Sequence, residues 1–165
     1  MRATLRTMTM ALAMLLLVGC AGFLRPDPGM VARQEARIAL GDTLTQQTWE
    51  SGDLRVNYSL TRKGDGCSLE GKVTINDSIN NSFPIITKFF LYISFLDQDG
   101  RVLETVDISP VIPAFGNTPP SLPLRTSTTL PAQAKSFVFH YYGGFRANPL
   151  SEGGHWDINY FPFTR

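Results

Sequence analysis

"LRVNYSLT", residues 54–61, alternates without a fault: Leu54, Val56, Tyr58 and Leu60 are apolar, while Arg55, Asn57, Ser59 and Thr61 are polar. Successive side chains of an extended backbone point to opposite faces, so a period of two describes a strand with one buried side and one wet side. "CSLEGKVTI", residues 67–75, repeats the pattern. It sets Cys67, Leu69, Gly71, Val73 and Ile75 inward and Ser68, Glu70, Lys72 and Thr74 outward. The intervening "RKGDG" is turn chemistry, so the two segments are expected to pair as a hairpin.

Toward the carboxyl terminus the same logic continues. "NDSINNSFP", residues 76–84, reads as a loop, and "IITKFFLYISFL", 85–96, follows it. From Phe89 to Leu96 this run is apolar on both faces, the mark of a strand covered on both sides. "DQDG", 97–100, supplies the Asp and Gly residues of a tight reversal into "RVLETVDI". Asp97, Asp99 and Gly100 also resemble the opening of a calcium loop, but its other ligand pair and closing Glu are missing, so the turn is the better assignment.

Residues 109–131 hold six of the eleven prolines. Proline cannot donate to a sheet ladder, so this stretch is expected to be a long crossing loop or an irregular edge. "KSFVFHYY", 135–142, restores alternation, with Phe137, Phe139 and Tyr141 set against Val138, His140 and Tyr142. A glycine-rich interval then leads to "HWDINYFPF", where Trp156, Ile158 and Tyr160 share a face. With a seventh strand allowed around Leu44 to Trp49, these six to seven segments joined by turns imply an all-β fold. The expected architecture is an antiparallel Ig-like β-sandwich over 44–165.

Ahead of it, "PGMVARQEARIALG", 28–41, spaces Val31, Gln34, Glu35 and Ile38 as a helix would, with Gly41 as a stop. Residues 20–43 are thus expected to be a tether carrying a short helix or a partly ordered linker. Further back, Arg2 and Arg6 precede an unbroken apolar run from Met10 to Val18, and no acidic residue occurs before Asp27. That is the plan of an export signal. Arg25, Pro26 and Asp27 end the greasy stretch before it reaches the roughly 20 residues that a spanning helix needs.

Leu17-Val18-Gly19-Cys20 resembles the lipobox of bacterial lipoproteins. The resemblance implies cleavage of a signal peptide, residues 1–19, diacylglyceryl transfer to the Cys20 thiol, and a membrane anchor made of acyl chains. By analogy with enteric sorting, Ala21 after the cysteine implies the outer membrane, with the domain facing the periplasm. The same residues also fit an ordinary cleaved signal in which Cys20 is incidental, or an uncleaved anchor helix. In the body, "GKVTIN", "FLDQDGRVLET" and "LPAQAKSFVF" follow the order of motifs in bacterial Ig-like modules of the FxLYD type, which the segment Gly71–Phe139 resembles. That resemblance implies an envelope-associated binding module, and it supplies no site residues.

Loss of residues 1–19 removes Arg2 and Arg6 and leaves 13 basic against 14 acidic residues, a formal charge of −1. With no basic cluster, a nucleic-acid partner is not expected. Two distant histidines and one cysteine besides Cys20 offer no convergent zinc set, so neither metal nor cofactor is expected. Cys67, inward on its strand, reads as a small core hydrophobe.

A hydrolase would need His140 or His155 beside a Ser and a carboxylate, and neither lies in a local nucleophile motif. His140 therefore reads as a surface or cross-strand residue, and a small envelope hydrolase using His155 or His140 as base is the alternative to a non-catalytic protein. The expected role is binding, scaffolding or assembly with an envelope protein or polymer. The candidate surface joins Val111, Ile112, Phe115, Leu122 and Leu124 to Tyr160, Phe161 and Phe163. If exposed together these form a patch of the kind that marks partner sites. The other reading is that the proline-rich loop closes the open end of the sandwich.

Overall fold

The computed structural model describes residues 25–114, 116–148 and 153–164. The expected signal peptide, Cys20 and Phe115 lie outside the described residues. Among the described residues eleven strands run in chain order: β1 (Val31–Ala32), β2 (Ile38–Ala39), β3 (Thr43–Glu50), β4 (Leu54–Lys63), β5 (Gly66–Ile75), β6 (Ile85–Leu96), β7 (Val102–Asp107), β8 (Leu122–Thr129), β9 (Ser136–Arg146), β10 (His155–Tyr160) and β11 (Phe163–Thr164). A short helix, α1 (Asp77–Ser82), joins β5 to β6.

The first sheet has the order β3-β4-β5-β8 and the second β10-β9-β6-β7, with β2 added alongside β9; β1 and β11 form a separate two-stranded ribbon. Every pairing is antiparallel. Set β3 aside and label β4 to β10 as A, B, C, C′, E, F and G. The order is then ABE against GFCC′, the Greek-key arrangement of an Ig-like sandwich. The all-β reading of the sequence therefore holds at the level of topology.

The hairpin of β4 and β5 has the register its alternation implies, with Leu54 opposite Ile75, Val56 opposite Val73 and Leu60 opposite Leu69. Their inward side chains meet Phe89, Leu91, Ile93 and Phe95 of β6 and Phe137, Phe139 and Tyr141 of β9 in one apolar core. Aromatic edges interlock across the gap: the Tyr58 ring lies 5.1 Å from Phe139, and Trp49 lies 5.3 Å from the same ring. Such offset and edge-on contacts add about 0.5–1.5 kcal/mol per pair beyond area burial.

Three local expectations are corrected, and that of an irregular edge in the proline-rich stretch is met. No helix forms over 28–41; the segment makes β1, a single 3-10 turn at Gln34–Ala36 and β2, and it buries Ala32 and Ala36. Pairing with β11 and β9 satisfies its backbone, which outweighs the helical propensity of so narrow an apolar stripe. Residues 76–84 are not all loop, because Asn76 Oδ1 accepts from the Ser78 backbone N–H and starts α1. The proline-rich stretch yields β8, and this strand sits at the sheet edge, as Pro123 requires. Finally, β9 runs straight through Gly143 and Gly144. A Cβ on Gly143 would stand 3.0 Å from the Phe89 and Phe145 rings, so glycine there permits close packing rather than a break.

Candidate functional site

The connections between strands are distributed unevenly. The β3–β4 turn, the α1 segment, the described parts of the β7–β8 stretch and the described ends of the β9–β10 connection lie at one end of the sandwich. Thr118 donates through both its backbone N–H and its hydroxyl to the Pro84 carbonyl, at 2.6 and 2.8 Å. The Asn76 N–H donates to Asp53 O. Tyr141, rising from β9 in the opposite sheet, bonds Asp53 Oδ2 at 2.7 Å and Ser51 Oγ at 2.8 Å. Burial is the main cause that raises the Tyr141 phenol above its ordinary value, so it stays a neutral donor. The opposite end carries shorter reversals, such as the Asp97 turn.

At the loop-bearing end two apolar side chains face solvent. Val111 is 86% exposed, and Trp156, at 49%, stacks on Phe83 with ring centroids 5.8 Å apart. On the first sheet, where the β3–β4 turn meets the end of β5, a shallow cleft is lined by Glu50, Ser51, Arg55, Thr74, Asn76 and Asp77. Sequence reasoning places Trp156 on a shared face with Ile158 and Tyr160 but does not single it out. Its partner Phe83 comes from a stretch with no periodicity, and only the fold brings the two rings together.

The sequence-derived surface does not assemble. Leu122 and Leu124 are buried core residues of β8, opposite Val73 and Gly71. Ile112 packs partly against the core, and Tyr160 stacks on Tyr141 and meets Trp49 edge-on. Phe163 is buried beneath the β1–β11 ribbon. Val111 and Phe161 remain outside, and Phe161 is 37% exposed. The proline-rich stretch thus packs over the end of the sandwich, because its alternate leucines take the inward positions of an edge strand.

His140 is not at the surface either. It points to the outer face of the second sheet, where the terminal segments cover it, and it is 1% exposed. Its Nε2 and Ser94 Oγ are 2.9 Å apart, and Ser94 Oγ also bonds Thr105 Oγ1 at 2.7 Å. Tyr92 stacks on the imidazole at 5.1 Å, and Phe163 meets it edge-on at 5.2 Å. Burial, reinforced by the charge of Arg25, pushes its pKa down to about 3. A serine and a histidine are therefore in contact, but they are sealed from solvent, and among the described residues no carboxylate bonds the imidazole. The contact was not visible in the sequence, since Ser94 and His140 lie 46 residues apart.

His155 opens β10 in an exposed position. Cys67 is buried and unpaired, and burial raises its thiol pKa above the ordinary value, against a smaller lowering by Arg62. Asp97 Oδ1 accepts from the backbone N–H groups of Asp99 and Arg101, which accounts for the Asp-Gly turn, and Gly100 adopts φ 82° there. Among the described residues no three His, Cys, Asp or Glu side chains converge as metal ligands, and no helix is long and apolar enough to cross a membrane. No family model, curated protein or solved structure matches this chain.

Proposed function

We propose that this chain is a lipid-anchored protein of the bacterial cell envelope, attached through Cys20 to the outer membrane and facing the periplasm. Its sandwich serves as a non-catalytic binding, scaffolding or assembly module for an envelope protein or polymer. The attachment rests on the lipobox resemblance of Leu17-Val18-Gly19-Cys20. The binding role is carried by one observation: the longer connections gather at a single end and leave Trp156 and Val111 in solvent there. A half-exposed tryptophan held rigid by stacking is the kind of anchor that dominates interfaces.

The competing reading, a small hydrolase, draws support from the contact between Ser94 and His140. Against it stand the burial of both groups and an imidazole too weakly basic to take a proton at neutral pH. His155 has the exposure, but among the described residues no serine bonds it.

The two parts of the proposal separate experimentally. Cys20→Ser should abolish acylation and release the protein from membranes; processing and membrane retention identical to wild type would sink the attachment. A photo-crosslinker at Val111 or Trp156 should capture the same partner in cells, while one at Gln98, on the far end, should not. Equal capture from all three positions would remove the loop end as the binding surface.

A further inference from the structure

The two outer faces of the sandwich differ in kind. Outside the first sheet stand Arg55, Asn57, Ser59, Glu70, Lys72 and Arg125, an ordinary wet surface. The outer face of the second sheet is aromatic and divides into two halves. One half is covered by the β1–β11 ribbon, which with Leu96, Val102 and Val138 forms a second small core around Ala32 and Phe163. Among the described residues no such ribbon covers the other half. Phe90 of β6 lies opposite Tyr142 of β9, which lies opposite Asn159 of β10, and Phe161 follows. Phe90 and Tyr142 are half-buried and Phe161 is exposed.

The described chain begins at the margin of this bare half. The Arg25 guanidinium sits 5.3 Å above the Tyr92 ring and pairs with Asp107 at 3.8 Å, and the Tyr92 ring stacks on Phe90. Cys20 is five residues upstream of Arg25. Five residues span at most about 18 Å even when fully extended. A lipid on Cys20 would therefore hold Arg25, at the margin of the aromatic half-face, within that distance of the bilayer. The connecting Ala21-Gly22-Phe23-Leu24 carries no charge to draw it away.

We propose that Phe90, Tyr142 and Phe161 rest on the lipid surface, so that the anchored sandwich lies with the outer face of its second sheet against the membrane. Aromatic rings with one wet edge favour the interfacial zone of a bilayer. The cations around the patch suit it, since Lys88 lies 4.6 Å over the Tyr142 ring and long basic side chains keep their charge in the headgroup layer. Arg25 is already paired with Asp107, so contact depends on the rings rather than on anionic lipid. This orientation rests on the lipoprotein reading, and it turns the polar face of the first sheet away from the membrane.

The test uses the full-length acylated protein in vesicles of phosphatidylcholine alone and of phosphatidylethanolamine with phosphatidylglycerol. Buried Cys67 is shielded from labelling, so an environment-sensitive fluorophore can be placed at Asn159→Cys or, on the opposite face, at Ser127→Cys. A lipid-borne headgroup quencher should quench the label at 159 and leave the label at 127 unquenched, in both vesicle types. Phe90→Ser with Phe161→Ser should abolish the quenching while acylation and vesicle retention persist. A far-ultraviolet circular dichroism spectrum matching wild type shows that the variant remains folded. Equal quenching at 159 and 127 in verified acylated protein overturns the orientation and leaves the lipoprotein reading standing. So does a label at 159 that is equally shielded in unacylated Cys20→Ser protein without vesicles, since another part of the chain or a second copy then covers the face. Absence of an acyl mass on Cys20 overturns both.

Discussion

Replacing His140 with glutamine isolates the energetic consequence of sealing an imidazole beneath the terminal ribbon. In the unfolded chain the group titrates near 6.5; in the fold, burial pushes it down to about 3. The folded state thus holds the neutral form, and above the unfolded value both states are neutral and the difference costs nothing. As pH falls through that value the unfolded chain gains a proton that the folded chain refuses, so stability falls until the folded value is reached. Each tenfold difference in proton affinity is worth about 1.4 kcal/mol. From about pH 7.5 to about pH 4.5 the wild type should therefore lose about 2.7 kcal/mol that the variant does not. Both pH values lie above the folded pKa, so this loss depends almost wholly on titration of the unfolded chain. Urea unfolding followed by the fluorescence of Trp49 and Trp156 measures it, and subtracting the variant cancels the carboxylates common to both proteins. Parallel curves for wild type and His140→Gln would refute the reasoning, because the imidazole would then be charged or reached by water in the folded state.

Other perturbations test the packing. Gly71→Ala places a Cβ 2.1 Å from the Asn57 carbonyl oxygen and 2.9 Å from Tyr58 Cα, and a backbone inside a hairpin has little room to yield. A loss of about 3 kcal/mol or more is expected in chemical denaturation, while Gly52→Ala, with nothing within 4 Å, should change stability by less than about 0.5 kcal/mol. Leu122→Ala should cost about 2–5 kcal/mol as a buried truncation, whereas Val111→Ala should leave the melting temperature unchanged. Tyr141→Phe removes the hydroxyl that joins the second sheet to Ser51 and Asp53. It should destabilise the protein by about 1–3 kcal/mol in the same assay.

The parts of the fold that were legible in the sequence are those specified by neighbouring residues. Alternation over 54–61 and 67–75 fixes both the strands and the face each side chain takes, because a slip of one residue would expose Val56, Leu60 and Leu69 together. The Asp97 turn was equally readable, since its hydrogen bonds reach no farther than Arg101. What stayed hidden has long-range causes. Gly143 and Gly144 look like a break until Phe89, Phe145 and Ile158 are seen to fill the space a side chain would need. The 28–41 segment follows a helical period only loosely, and the partners that straighten it, Thr164 and Phe137, lie some hundred residues away.

The same distinction governs the candidate surfaces. Opposite phases of 135–142 put His140 outward, and an outward residue on an antiparallel sheet is ordinarily wet. Its burial follows from the adjacent strand: 89–96 is apolar on both faces, and in a sheet a cover over β6 must also cover the β9 residues paired with it. Tyr92 lies opposite His140, and Ser94 opposite Val138. Two-sided apolarity in one strand is thus evidence about its neighbour, and it implies a buried His140 from the sequence alone. It could not say what supplies the cover. The ribbon of β1 and β11 accounts for the half that holds Leu96 and Val138, and it ends short of Phe90 and Tyr142. Those two rings carry the same double-faced pattern and, among the described residues, only partial cover, with Lys88 over Tyr142 and Arg25 nearby over Tyr92. For that half the proposed orientation names the membrane beside an acylated Cys20 as the apolar partner.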